Sequence, residues 1–145
     1  IHTQERLLGY QRALYDNQIL FNPSFILNGD WERESGREVS EQLIKRGITA
    51  IFSMNDVMAG GVYDYLDTIE KKVGTDISLI GFDNRESSTA YNPMLSTMGL
   101  PLFDIGRKSA EILISLIDKE NKNIDHEIYK INCEFIERKS ILSIK

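Results

Sequence analysis

With 145 residues, 41% of them hydrophobic and 27% charged, the chain fits one ordinary soluble globular domain, able to bury about two thirds of its unfolded surface. No apolar run approaches the roughly 18 residues a membrane helix needs, and a formal net charge of −5 with scattered Lys and Arg leaves no electrostatic footprint for nucleic acid. A lone cysteine, Cys133, makes no internal disulfide, and one Cys with two His (His2 and His126) argues against a Cys/His zinc site. The chain begins at Ile1 with neither Met nor a signal-like region, and reads as a piece of a longer protein.

Leu7, Tyr10 and Leu14 recur at helical spacing and predict a helix from about Thr3 to Asn17. "SFILNGD" (24–30) follows a proline and predicts a short buried strand. A second helix is expected from Glu32 to Arg46, with Gly36, Val39, Leu43 and Ile44 on one face and Gly47 at C′. "ITAIFSM" (48–54) predicts the next strand. Met58, Val62, Tyr65, Leu66 and Ile69 then make an amphipathic helix ending near Lys72 and Gly74.

"DISLIGF" (76–82) predicts the third strand, and Asn84 to Pro93 a turn-rich loop. "LSTM" (95–98) is a short strand, followed by a helix from Pro101 to about Lys119. "NKNIDH" (121–126) is a solvated loop, and the alternation of Tyr129, Ile131, Cys133 and Phe135 predicts a half-exposed last strand. Near-continuously apolar strands alternating with helices give an α/β fold, a three-layer doubly wound parallel sheet.

Parallel strands bring their carboxyl ends to one rim, where such sheets bind ligands. Asp30 and Trp31, Asn55 and Asp56, and Asp83 and Asn84 each follow a strand, and Arg6 in the opening helix can reach the same rim. Arg, Asn, Asp and an indole face suit a polyhydroxylated ligand, because they donate, accept and stack. Each has a plainer reading. Asp56 serves as an N-cap, Asp83 closes an Asx turn, Trp31 is partly buried core and Arg6 a solvated helix residue. Catalysis is poorly supported: G-x-S-x-G, HExxH, P-loop and GxGxxG patterns are absent from the sequence. Neither a metal nor a cofactor is expected.

Six segments in order, "ERLLGYQRAL" (5–14), "GDWERESG" (29–36), "AIFSMNDVMAGGV" (50–62), "DISLIGFDN" (76–84), "LSTMGLPLFDIGRKSAEIL" (95–113) and "FIERKSI" (135–141), resemble the effector-binding region of LacI/GalR-type transcriptional regulators. The resemblance covers nearly the whole chain. It implies a periplasmic-binding-protein-like type I core of two lobes, with residues 1–98 and 121–145 in the C-terminal lobe and 99–120 a crossover segment of the N-terminal lobe. It also implies a cytoplasmic regulator, commonly a repressor, that binds a sugar or sugar derivative, reads operator DNA through an N-terminal head outside this chain, and works as a homodimer.

Carried over by position, Arg6, Trp31, Asn55 and Asp83 are the ligand-binding residues, with Asp56 capping the helix behind Asn55. Gly60, Val62, Tyr63, Ser88 and Tyr91 fall at the family's dimer contacts, and Gly60 with Gly61 would permit close helix approach there. Leu100 stands where many members carry Gln, which places Leu102 near the cleft. The competing readings are a periplasmic or lipid-anchored sugar-binding transport receptor and a small α/β enzyme working through Asp56 or Asp83.

Overall fold

The computed structural model describes residues 2–117 and 128–142. His126 and the 121–126 loop lie outside them, as do the last residues of the helix expected to reach Lys119. In chain order the elements are α1 (His2–Asp16), a 3-10 turn (Pro23–Phe25), α2 (Arg33–Lys45), β1 (Ala50–Phe52), α3 (Asp56–Thr68), β2 (Ser78–Asp83), α4 (Ser87–Ala90), β3 (Ser96–Gly99), α5 (Leu102–Ile117) and β4 (Glu134–Ile136).

The four strands form one sheet in the order β1-β2-β3-β4. β1 pairs parallel with β2 (Ile51 opposite Leu79), and β2 parallel with β3 (Gly81 opposite Thr97). β4 runs antiparallel to β3, with Met98 opposite Phe135. The sheet is therefore mixed rather than wholly parallel.

The period of two along β2 sorts its side chains between layers. Leu79 points to α3, where it forms the buried core with Ile51, Ala59, Val62, Leu66, Val73, Ile77 and Leu95. Phe82 and its face turn to α1, whose Arg6 lies against the Phe82 ring. α2 packs on α3, and Leu43 and Ile44 close the core from that side. Gly47 takes φ +76° at C′ of α2, the conformation expected of it.

Gly36 and Gly61 set the α2–α3 contact. A methyl group on Gly36 would strike the Met58 carbonyl, and one on Gly61 the Arg33 carbonyl oxygen and the Arg37 nitrogen. Gly61 thus permits a close helix approach inside the chain.

Residues 24–30 join no ladder. An apolar hollow of about 420 Å³ lies between Leu7, Tyr10 and Leu14 of α1, Phe25 and Ile26, and Ala50 and Phe52 of β1. The segment 138–142 is fastened by Ser140, fully buried, whose hydroxyl accepts from Ser96 N at 2.7 Å and donates to Leu79 O at 2.6 Å. It links β2 to the first residue of β3.

Candidate functional site

β1 ends at Phe52, and the Ser53 hydroxyl donates to Asn55 O at 2.8 Å, turning the chain into α3. Asn55, not Asp56, is the N-cap. Its Oδ1 accepts from Met58 N at 2.7 Å, and its backbone is extended, as a cap requires. Its Nδ2 donates to Trp31 O at 3.0 Å. Asn55 thus both caps α3 and holds the Trp31 backbone.

Asp56, the next residue, is fully buried at the first helical position. Oδ1 accepts from Thr97 Oγ1 at 2.7 Å and Oδ2 from Arg85 N at 2.8 Å. Burial holds its pKa above the usual carboxylate value, against the lowering effect of those two hydrogen bonds, with the charge of Asp83 adding to the rise. The expectation that Asp56 caps α3 is corrected: its carboxylate points under the sheet and ties β3 to the loop after β2.

Arg6 is brought to the rim by α1. Its Nη1 donates to Met54 O at 2.6 Å, while the guanidinium carbon sits 3.8 Å from the Phe82 ring centroid and 5.9 Å from that of Trp31. The guanidinium is held between two aromatic faces, with other donors left over. Trp31 keeps 44% of its surface exposed. Beside it an apolar hollow of about 200 Å³ is lined by Leu7, Ile26, Leu27, Met54 and Met58.

Asp83 closes β2, and its carboxylate meets Arg85 Nε at 3.6 Å. Trp31, Asp83 and Asn84 take φ of +76°, +107° and +57°. Such backbone costs of order 1–3 kcal/mol per residue and collects where function constrains the chain. The structure thus gathers Arg6, Trp31 and Asn55 through direct contacts, and places Asp83 one residue past the ring on which Arg6 rests. Sequence reasoning missed Phe82 and Arg85. The period of two along "SLIGFD" was the available signal for Phe82, since it puts that ring on the α1 face. Leu102 is 68% exposed, at the start of α5.

The expected dimer residues divide differently. Val62 belongs to the core, and Gly60 and Ser88 are buried within the chain. Tyr63 and Tyr91 are half-buried and stack on one another, ring centroids 4.7 Å apart. The Tyr63 hydroxyl donates to Pro93 O at 2.7 Å, and burial pushes its pKa up, so it stays a donor.

Comparison with known proteins now decides the family. The periplasmic binding protein-like domain matches residues 2–141. This chain belongs to that family. It is 34% identical over 140 residues to the HTH-type transcriptional repressor PurR of Photobacterium profundum, covering 95% of this chain and 41% of that protein. It is 35% identical over 143 residues to the HTH-type transcriptional regulator MalR of Clostridium butyricum, covering 96% of this chain and 41% of that one. The chain therefore spans about two fifths of the curated relatives it matches.

Among solved structures, the transcription regulator CcpA of Lactococcus lactis superposes with a TM-score of 0.86 at 27% identity, over 96% of this chain and 51% of that one. A LacI family regulator from Enterococcus faecium with bound ribose gives 0.82 at 26% identity, over 97% and 52%. The matched relatives are transcriptional regulators, not enzymes, and the α/β fold with its four-stranded sheet is that of LacI-type effector domains.

Proposed function

We propose that this chain is the effector-sensing part of a LacI-type transcriptional regulator, a repressor of its operator in the cytoplasm, and that the effector is a sugar or sugar derivative bound at Arg6, Trp31, Asn55 and Asp83. The observation that carries this reading is the Arg6 guanidinium held between Phe82 and a half-exposed Trp31, with Asn55 bonded to the Trp31 carbonyl. A stacking face flanked by donors and acceptors fits a ring with hydroxyls on its edge and C–H groups on its face. The relative with bound ribose supports the same ligand class.

Residues 1–98 and 121–145 form one lobe of the sensor in this reading, and 99–120 cross to the other. Its support is α5, in which no residue is buried and Leu102, Phe103, Leu113, Ile114 and Ile117 stay exposed, an apolar helix uncovered among the described residues. Operator DNA is read by a head outside this chain. Effector shifts DNA affinity only through unequal binding to the two lobe arrangements.

Arg6→Ala and Asp83→Ala in the intact protein are each expected to weaken effector binding about 10- to 100-fold, the range set by a charged hydrogen bond, with operator affinity retained. Titration calorimetry against a panel of pentoses, hexoses and their phosphates measures this. Unchanged affinity in both variants would remove the assigned site. The homodimer rests on the stacked Tyr63–Tyr91 surface with the adjacent Arg33–Asp64 pair at 2.6 Å. Sedimentation equilibrium of the intact regulator is expected to show a dimer, and a monomer at micromolar concentration would exclude it.

A further inference from the structure

Asp83 and Asn84 hold successive positive φ angles, and such backbone persists only where its surroundings impose it. The neighbour that reaches this turn from farthest along the chain is Arg138, just past β4. Its Nη2 donates to Asn84 Oδ1 at 2.7 Å, and its Nη1 donates to Leu95 O at 2.6 Å and to Ser88 Oγ at 3.0 Å. Its own backbone N–H donates to Ser96 Oγ at 2.8 Å.

One planar fork therefore joins the turn after β2, the buried Ser88 of α4 and the start of β3. Lysine offers a point charge that cannot span these three acceptors at once. On the other side of the turn, Arg85 N is held by the buried Asp56 carboxylate. Asn84 is thus gripped by its side chain and Arg85 by its amide, and Asp83 is fixed between these anchors and the β2 ladder.

The geometry points to Arg138 as the positioning residue of the Asp83–Asn84 turn, holding the Asp83 carboxylate at the rim without reaching the rim itself. This rests on the effector site assigned above, but its test needs no ligand. Amide hydrogen exchange of the intact protein is followed by NMR in the parent, Arg138→Lys, Asn84→Gly and the double variant. Arg138→Lys is expected to speed exchange at Arg85 N at least about tenfold, while Leu79 N and Ser96 N, both bonded to Ser140, keep their protection.

Glycine at 84 accepts a positive φ without strain and removes the Arg138 partner. Adding Arg138→Lys to Asn84→Gly should then change Arg85 exchange less than about threefold, the non-additivity of coupled sites. Equal acceleration in both backgrounds, or a uniform loss of protection that includes Leu79 and Ser96, would make Arg138 a fastener of the chain end only and overturn the assignment. Calorimetry of Asp83→Ala remains the separate test of the site, so either idea can fail alone.

Discussion

Asp56→Ala is expected to cost about 3–6 kcal/mol of stability, and Asp56→Asn about 1 kcal/mol or less in either direction. Alanine leaves the Thr97 hydroxyl and Arg85 N–H without their acceptor, at about 1–3 kcal/mol each, and adds a cavity beneath Gly81. Asparagine keeps an oxygen for Arg85 N, and its amide donates to Thr97 once that hydroxyl rotates. Burial of the charge is the same cost that raises the Asp56 pKa, and it disappears in the asparagine variant.

The sign of the pH dependence follows. A carboxyl whose folded pKa lies above its ordinary 3.8 binds protons better in the folded state, so its contribution to stability falls as pH rises from 3.8 through the folded value. The asparagine variant lacks that fall. Urea denaturation from pH 3.5 to 7.5 should show Asp56→Asn gaining on the parent through that window and running parallel above it. A difference that does not vary with pH would mean that the hydrogen bonds offset the burial and leave the Asp56 pKa where it stands in the unfolded chain, and a parent that gains on Asp56→Asn as pH rises would mean that they outweigh it.

The helices α1, α2 and α3 were legible from their period, the strands β1, β2 and β3 from short apolar runs, and Gly47 because C′ demands its φ. The strand expected at 24–30 was not, since an apolar run says nothing of whether a neighbouring strand pairs with it, and here none of its residues is buried. The site was legible as a set of strand-end residues, but their division of labour was not. Asn and Asp cap helices about equally well, so "ND" leaves open which one caps. The answer lies in Thr97 and Arg85, contributed by β3 and the loop after β2. Arg138 stood in a recognisable segment, yet its partner Asn84 is 54 residues away and nothing local names it.

Gly61→Ala is expected to lower the melting temperature by about 6–12 °C, from a loss of about 3 kcal/mol at about 2–4 °C per kcal/mol for a chain of this size. In a helix interior this exchange ordinarily stabilises, by about 0.5–1 kcal/mol, and α1 supplies the internal control. Gly9 has open space where a Cβ would stand, so Gly9→Ala should raise the melting temperature slightly. At Gly61 the added methyl meets backbone on three sides, the Arg33 oxygen, the Arg37 nitrogen and the Gly36 carbonyl carbon, and backbone does not yield as a flexible side chain would. α2 must therefore move off α3. That movement carries Trp31, which lies two residues before α2 and is bonded to the Asn55 cap of α3. The same variant should thus shift the fluorescence of Trp31, the single tryptophan, at temperatures where the fold persists. A Gly61→Ala protein with unchanged melting and unchanged emission would show that the two helices have room between them, and the close crossing that seats the rim would have to be abandoned.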